Sequence, residues 1–269
     1  MMRSLWTAAS GMNAQQLNVD TISNNISNVD TTSYKKERLE FKSLLYQTME
    51  RASLDEADTG KPLNLQVGLG VRPIATSRMF AQGNMEKTEI KTDLAIEGEG
   101  FFMIQTGENE VAYTRDGSFK VSLGDGENQL VTSEGYRVLN SDGEPVTFPG
   151  NIPIQDLIIS ENGSIRYMQN GEEQDTGARV GVVQFANPQG LEAIGRNLYV
   201  TTSASGEPIL EADGEVKQSR IVQGFIELSN VNIAEEMVNL IVAQRAYELN
   251  SKAITTSDEM LQLANNLKK

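Results

Sequence analysis

Carboxylates are the side chains through which this sequence could most readily do acid–base chemistry. The chain has 37 Asp and Glu residues and no Cys or His, which excludes Ser-His-Asp triads, imidazole bases, thiol nucleophiles and thiolate metal sites. The acids that could be offered as a catalytic pair are Glu97 with Glu99, and Glu172 and Glu173 with Asp175. Two carboxylates can hydrolyse a glycosidic bond, but acids this close on short strands or turns are usually exposed charges. The sequence therefore favours a protein that is not an enzyme.

Two other motifs have the composition of ligand-binding loops but not their context. Gly68-Leu69-Gly70 is a lone GxG with no strand-turn-helix setting, so we do not expect it to bind a nucleotide. The segment Asp125-Gly126-Glu127-Asn128 lacks the spaced oxygen ligands of an EF-hand and reads as a turn. We predict no cofactor and no metal ion.

The charge is unevenly distributed along the chain. Residues 1–80 carry 9 basic and 8 acidic side chains, residues 81–222 carry 10 and 23, and residues 223–269 carry 4 and 6. A net charge of -14 argues against a nucleic-acid partner, because binding to phosphates needs clustered Lys and Arg. The near-neutral ends can lie against each other, whereas the acidic middle requires screening by water.

The N-terminal residues do not have the pattern of a secretory signal peptide. Met1 to Trp6 contain one positive charge but are not followed by a continuous apolar run or a small-residue cleavage site. The sequence also has no apolar stretch of membrane-spanning length. We therefore expect a chain that does not span a membrane, and that is either cytoplasmic or exported by a route that reads another signal.

Apolar residues near the N-terminus recur with the seven-residue period of a coiled coil. This pattern predicts a helix from about Ser4 to Asn28, which would be about 37 Å long and so too long for a small globular core. Gln15 is the exception in the stripe. The apolar positions are Leu5, Met12, Val19 and Ile26, with Ala8, Ile22 and Val29 at the complementary position.

The C-terminal region repeats this design. Asn232 is a candidate N-cap, and Glu235 and Glu236 suit the first turn of a helix, which we predict to run from Ile233 to Asn266. Both predicted helices need an apolar partner surface, so we expect them to form a coiled-coil-like inner layer. The apolar positions are Ile233, Leu240, Tyr247, Ile254 and Leu261, with Met237 and Ala243 filling the stripe.

Between the helices the apolar period changes to two, and turn residues recur in pairs. The sequence therefore predicts an α+β protein with a central antiparallel all-β domain over residues 81–222. Residues 31–80 fit neither pattern and read as an extended connector arm, with a candidate hairpin at Asp58-Thr59-Gly60. Residues 223–232 are a return connector, and 1–30 with 233–269 form the terminal helical assembly domain. The turn pairs are Asp116-Gly117, Asp125-Gly126, Asp142-Gly143, Asn162-Gly163, Asn170-Gly171 and Asp213-Gly214.

Specific motifs at both ends resemble the flagellar rod and hook protein family. Residues 22–35, which read ISNNISNVDTTSYK, are similar to the family's N-terminal motif, and residues 229–248 are similar to its C-terminal motif. The middle also resembles the family at Gln82 to Met85, Asp93 to Phe102 and Tyr113 to Phe119. The resemblance covers nearly the whole chain.

The resemblance implies a subunit of a hollow, helically assembled drive shaft that transmits torque. Residues 65–73 and the chain length are most similar to distal rod members, with hook and proximal rod members as alternatives. The implied partners are other copies of the chain in an open helical assembly, proximal rod and hook subunits at its two ends, surrounding ring proteins and the flagellar export apparatus. The implied location is the periplasmic rod, reached without signal cleavage. A secreted carbohydrate-active or peptidoglycan-binding protein is the rival from another class.

Polar residues at the two ends allow two interpretations. The family's pattern implies subunit contacts for these residues, whereas the residues alone also fit solvated helix faces. They are Asn24, Asn25 and Asn28 at one end and Gln244 and Arg245 at the other. The family usually has Gly where Ser33 stands, so the backbone there is either ordinary or left-handed.

Overall fold

The protein is α+β, with a helix at each end and mostly strands between them. The computed structural model describes residues 2–50, 63–107, 110–124, 127–150, 152–169, 172–214 and 216–266. Helix α1 spans Met2–Ser27 and helix α2 spans Ile233–Asn266. The predicted hairpin at Asp58-Thr59-Gly60 and the predicted turns at Asp125-Gly126 and Asn170-Gly171 lie outside the described residues. Within the described residues, no helix is long and apolar enough to cross a membrane.

Local chemistry explains where α2 begins. The side-chain oxygen of Asn232 accepts hydrogen bonds from the backbone N–H groups of Ala234 at 3.0 Å and Glu235 at 3.5 Å. These N–H groups have no partner within the helix, so the cap satisfies them, and the acidic first turn complements the helix dipole. The predicted start and end of α2 are both correct, whereas α1 begins two residues before its predicted start.

The described chain divides into two compact units. The helical unit contains residues 2–27, 37–50, 63–78 and 232–266, and the β unit contains residues 28–36 and 79–231 with the gaps given above. The predicted connector at 31–80 is therefore shared between the units. The helical unit places α1 and α2 side by side, together with strands from residues 37–78.

Antiparallel ribbons occupy the segment that the sequence assigned to an extended connector. Strand β1 (Glu37–Ser43) pairs with β4 (Val71–Arg78), with an irregularity between Glu40 and Phe41, and β2 (Tyr46–Glu50) pairs with β3 (Leu65–Gly68). Gly70 before β4 has a φ of +116°, and a Cβ there would lie 2.1 Å from the Ser10 side-chain oxygen on α1. Glycine is required for this contact. The ribbons lack alternating burial because most of their side chains are exposed.

The β unit is built from antiparallel strands around an apolar core. Its largest sheet has the order β12-β10-β11-β7-β8-β18-β17, with β9, β16 and β19 attached to it. Strands β13, β14 and β15 form a second sheet, and β6 with β20 and β5 with β21 form pairs. The strands are β5 Met85–Lys87, β6 Leu94–Glu97, β7 Phe101–Gln105, β8 Val111–Thr114, β9 Lys120–Leu123, β10 Glu127–Val131, β11 Arg137–Val138, β12 Thr147–Pro149, β13 Leu157–Ile159, β14 Ser164–Gln169, β15 Glu172–Arg179, β16 Val182–Gln184, β17 Glu192–Gly195, β18 Leu198–Val200, β19 Ile209–Leu210, β20 Arg220–Gln223 and β21 Phe225–Glu227.

Aromatic rings fill the core of the β unit. Phe101, Phe102 and Phe119 are fully buried, and the Phe102 and Phe119 rings meet edge to face at 5.1 Å between centroids. Phe185 is also buried, and its ring meets that of Phe101 at 5.6 Å. Edge-to-face contacts of this kind favour a fixed core. Phe102 and Phe119 belong to one apolar cluster, against which Tyr136 is partly buried, and Phe101 and Phe185 belong to a second.

Candidate functional site

The helix pair of the helical unit contains most of the residues that the sequence singled out. The helices run antiparallel: the Ser4 side-chain oxygen on α1 lies 3.3 Å from that of Ser257 on α2. One heptad further along α1 and one heptad back along α2, Gly11 lies against Asn250, and a Cβ at Gly11 would be 3.0 Å from the Asn250 amide nitrogen. The pairing therefore advances by seven residues on both helices.

Asn25 forms the last contact of this series, three heptads beyond Ser4. Its amide nitrogen donates to the Glu236 carboxylate at 3.2 Å and to the Glu37 carbonyl at 2.8 Å, and its oxygen accepts from the Glu37 N–H at 2.9 Å. Asn25 and Glu236 are each only 1% exposed. The other Glu236 oxygen accepts from Asn239 at 3.2 Å. One buried polar junction thus joins the end of α1, the start of β1 and the first turn of α2.

The predicted seam residues of α1 lie along its covered side. Ala8 and Ile22 are buried, and the other four predicted apolar positions on the helix are half-buried. Asn25 is buried, whereas Asn24 is exposed. Asn28 and Val29 lie beyond the end of α1, in the β unit, and are half-buried. The half-buried positions are Leu5, Met12, Val19 and Ile26.

The predicted seam residues of α2 divide into a covered and an exposed group. Leu240, Ile254 and Leu261 are half-buried, and Ala243 between them is buried. The exposed residues of the prediction are Ile233, Met237, Gln244, Arg245 and Tyr247. The position complementary to the apolar stripe is filled by Glu236, Ala243, Asn250 and Ser257.

The outer side of α2 exposes an apolar stripe in the single chain. Val238, Ile241, Val242 and Leu249 are 59%, 55%, 62% and 68% exposed, at spacings that place them on one side of a helix. Exposed apolar patches rimmed by polar residues mark interaction surfaces, because water is a poor solvent for them. We call these four residues the outer face of α2.

A groove lies between the two helices near their middle. Its volume is about 370 Å³, and it is lined by Gln16 and Val19 of α1 and by Gln244, Tyr247 and Glu248 of α2. The structure thus brings together three of the residues that the sequence proposed for assembly, namely Val19, Gln244 and Tyr247. The groove is large enough for a side chain of another molecule and offers it amide, phenol and carboxylate groups.

Arg245 lies beside this groove without lining it. Its guanidinium bonds the Glu248 carboxylate one turn later at 2.7 Å, and both side chains are well exposed. Exposed pairs of this spacing contribute little to stability. The local pair fits the solvated-face interpretation of Arg245 in the single chain.

A buried ion cluster in the β unit was not predicted from the sequence. The Lys35 ammonium lies 2.6 Å from the Glu227 carboxylate, whose other oxygen is 3.5 Å from the Arg115 guanidinium. Lys35 also donates to the Ala81 carbonyl at 2.9 Å, and the Gly83 N–H donates to Glu227 at 2.7 Å. Burial and the Arg115 charge lower the pKa of Lys35 to about 8, against the attraction of Glu227.

The backbone around Ser33 belongs to the same region. Ser33 has a φ of +54°, so the left-handed alternative is the correct one. Its N–H donates to the Glu227 carbonyl at 2.8 Å, and its hydroxyl donates to the Arg115 carbonyl at 2.7 Å. These buried bonds offset the strain of a left-handed non-glycine residue. Lys35 and Arg115 both lie in the motifs quoted above, but nothing in their spacing indicates a shared cluster.

The acids considered for catalysis lie on the surface. Glu97, Glu99, Glu173 and Asp175 are exposed, and Arg220 approaches Glu97 at 3.9 Å. Among the described residues, no group of three or more acidic side chains is placed to hold a metal ion. Exposed acids of this kind have the environment of solvated charges and not of a tuned acid–base pair.

Comparisons with known proteins match both ends and the middle of the chain. Residues 5–35 match a family described as flagella basal body rod protein, residues 95–167 match the D1 domain of the flagellar hook protein FlgE/F/G, and residues 222–267 match the C-terminal region of the flagellar basal body rod FlgEFG protein.

Several full-length relatives share one description, whereas one from Bacillus subtilis, 34% identical over 100% of both chains, is described as the flagellar hook-basal body complex protein FlhP. The flagellar basal-body rod protein FlgG of Borreliella burgdorferi is 51% identical over 100% of both chains. The proteins of that name from Caulobacter vibrioides and Bacillus subtilis are 43% and 39% identical, over 99% and 100% of this chain and 100% of each relative. A crystal structure of the Helicobacter pylori hook protein FlgE2 covers 61% of this chain and 47% of its own at 18% identity, but its TM-score of 0.24 supports no comparison of folds.

Proposed function

We propose that this chain, which belongs to the family of the flagellar basal-body rod protein FlgG, is a structural subunit of the distal rod of the bacterial flagellum. In this role it forms part of the drive shaft that transmits torque to the hook. Full-length identity of 39% to 51% to proteins described as flagellar basal-body rod proteins supports the rod over the hook alternative.

The subunits would assemble through the helical unit into an open helical tube. The observation that carries this proposal is the outer face of α2, where four apolar residues are more than half exposed although α1 covers the opposite side of the helix. A second copy of the chain can bury this face, and repeated contacts between unlike surfaces build a filament when they do not close into a ring. The helices would then form a coiled-coil-like inner layer, as the heptads predict.

The ribbons of the helical unit offer further apolar surface to neighbouring subunits. Leu45, Tyr46 and Leu65 are 83%, 60% and 55% exposed. This exposure supports the interpretation of the connector as an arm that lies on another subunit. We also propose that proximal rod and hook subunits contact the two ends of the assembly, that ring proteins surround it, and that the export apparatus passes the chain without cleaving a signal.

We propose no catalytic activity. The family is described by a structural role, and the carboxylates that could hydrolyse a glycan are exposed. A carbohydrate-active or peptidoglycan-binding function is the weaker alternative, since no described site is formed by a pair of buried acids with room for a sugar.

A charge on the outer face of α2 tests the assembly proposal. We expect Val242→Asp to abolish tube formation by the purified chain and motility in cells, because the aspartate would be desolvated at the interface. Circular dichroism should remain that of the wild type, since Val242 is 62% exposed. Electron microscopy should show straight, rigid wild-type tubes, whereas curved, flexible tubes would favour a hook subunit.

The matched control is Leu123→Asp, which makes the same kind of change at an exposed residue of the β unit. Leu123 is 80% exposed, so this variant loses as much apolar surface and gains the same charge. We expect it to assemble as the wild type does. Normal tubes formed by Val242→Asp, or equal loss of assembly in both variants, would contradict a role for the outer face of α2.

A further inference from the structure

We propose that Asn25, Glu236 and the backbone of Glu37 set the register of the helix pair, so that α1 and α2 dock in one alignment among several that their repeat permits. The inference rests on the proposed function, because the register decides which parts of α2 face other subunits. It goes further by assigning the alignment to one named junction.

The repeat alone leaves the alignment ambiguous. The apolar positions recur every seven residues on both helices, and so do the smaller residues that face each other across the pair. A slip of one heptad, about 10.5 Å, therefore brings apolar residues against apolar residues again. The smaller residues are Ser4, Gly11, Asn18 and Asn25 on α1 and Glu236, Ala243, Asn250 and Ser257 on α2.

Most of the facing residues in the helix pair differ little in contact energy between one alignment and another. Ser4 meets Ser257 through a single contact at 3.3 Å between hydroxyls, and the same spacing places Asn18 opposite Ala243. Gly11 allows the close approach of Asn250 but contributes no side chain of its own. Contacts between such small groups change little in energy when the partner changes.

The junction at Asn25 distinguishes the alignments because its polar groups are buried. In one slipped alignment Asn25 faces Ala243, and Glu236 lies beyond the end of α1. In the other alignment Asn25 lies beyond the start of α2, and Asn18 faces Glu236 without the backbone of Glu37 beside it. Either slip removes the hydrogen bond between the buried Asn25 amide and the buried Glu236 carboxylate, which costs more than the loss of an exposed contact.

The backbone of Glu37 fixes the orientation of the Asn25 side chain, which also bonds the other helix. Because Glu37 bonds the Asn25 amide through both its N–H and its carbonyl, the amide is held in one orientation before α2 is considered. Its remaining N–H then points at Glu236 in the first turn of α2. Single buried asparagines at core positions specify alignment in coiled coils for the same reason.

Engineered disulfides can read the alignment, because the chain contains no cysteine. The pair Ser4→Cys with Ser257→Cys reports the observed register. The pair Ser4→Cys with Asn250→Cys reports the slip in which Asn18 faces Glu236, and the pair Ser4→Cys with Ala264→Cys reports the slip in which Asn25 faces Ala243. In the observed register the two positions of either pair are about 10.5 Å apart along the helices, which exceeds the roughly 7 Å limit for a disulfide. Crosslinks within the purified, unassembled chain are detected by gel mobility under mild oxidation.

We expect the wild-type background to form the 4–257 crosslink alone. Asn25→Leu should raise the summed yield of the 4–250 and 4–264 crosslinks at least fivefold, with helical circular dichroism retained. Asn24→Leu, the same substitution at the exposed neighbouring residue, should leave the crosslinks unchanged. Glu236→Leu should act as Asn25→Leu does and serves where the latter loses helical signal, whereas Glu236→Gln, which keeps a hydrogen-bonding oxygen, should retain the wild-type pattern.

The outcomes separate the register from the proposed function. A slipped crosslink with a yield equal to that of the 4–257 crosslink in the wild-type background would overturn the proposal even if the wild type builds normal tubes. Crosslinks that join two chains instead of one would overturn it too. An unchanged pattern in both Asn25→Leu and Glu236→Leu would overturn the assignment to this junction. Loss of tube formation in Val242→Asp with an intact 4–257 crosslink would support both proposals independently.

Discussion

The helical unit and the β unit differ in their net charge and in how much of their apolar surface is exposed. The sequence segments of the helical unit carry 11 basic and 12 acidic residues, whereas those of the β unit carry 12 and 25. Of the 27 large apolar residues that are exposed among the described residues, 20 lie in the helical unit. The β unit buries its apolar residues and carries the negative charge, and the helical unit leaves apolar residues uncovered and is nearly neutral.

This difference shows which unit is complete in a single chain. Both apolar core clusters found among the described residues lie in the β unit, where strands cover one another on both sides. The helical unit has a buried polar junction at one end of its helix pair, and many of its large apolar residues are exposed. A core of this kind gains stability chiefly when other copies cover its outer faces, which couples folding of this unit to assembly.

Deleting either terminal helix should have the largest effect on assembly and should leave the β unit folded. Deletion of residues 233–269, or of residues 1–30, should abolish assembly, because the remaining helix has lost its partner in the helical unit. The β unit should remain folded, since its core lies within residues 94–221. Electron microscopy would show the missing tubes, and circular dichroism would show the cooperative unfolding of the β unit. Polymerisation of either truncated chain would contradict the proposal that both helices build the tube.

A change of pH should have a smaller effect, which acts on the stability of the β unit through Lys35. Lys35 has a pKa of about 8 in the folded chain and an ordinary value of 10.5 when unfolded. Between these values the unfolded chain binds more protons, so the free energy of unfolding should rise with pH, by about 1–3 kcal/mol in total. Below pH 8 the term is constant because Lys35 is protonated in both states.

The control for this titration is Lys35→Met, which removes the titrating group but fills a similar volume. The groups facing Lys35 are Glu227 and Arg115, and both are retained in the variant. Urea unfolding followed at several pH values should show the rise in the wild type and not in Lys35→Met. A wild type whose stability falls from pH 8 to 10.5 relative to the variant would show that the ion pair outweighs the cost of burying Lys35.

The same division explains what could be predicted from the sequence. The bounds of α2 were correct because a cap residue, an acidic first turn and a heptad are all local signals. Asn162-Gly163 does join the strands β13 and β14, whereas Asp116-Gly117 lies between β8 and β9, which do not pair with each other, and Asp213-Gly214 ends a short 3-10 helix. A dipeptide specifies a turn, but the choice of strand partner depends on distant residues.

The sequence did not predict the ribbons or the polar junction, because neither depends on a local pattern of residues. The strands within residues 37–50 and 63–78 show little alternation of burial beyond the first residues of β1 and β4, because most of their side chains are exposed and no face is selected by burial. Asn25 was a candidate for assembly contacts, but its buried bonds join residues 12 and 211 positions away along the chain. Glu236 was taken for a residue of the first helical turn, because the same acid suits a helix start and a buried junction.

Substitution of Arg245 should have the smallest effect, and it tests whether this residue contacts another subunit or only solvent. Its exposed pair with Glu248 should contribute under about 0.5 kcal/mol, so Arg245→Ala should leave the free energy of unfolding of the single chain nearly unchanged. If Arg245 faces another subunit, the variant should still raise the protein concentration needed for tube formation severalfold, and added salt should weaken wild-type assembly more than that of the variant. Lys87→Ala, which removes an exposed cation of the β unit that pairs with Glu89, is the control. Identical critical concentrations for the wild type and Arg245→Ala would assign Arg245 to the solvated side of the helix and confine the assembly contacts of α2 to its apolar residues.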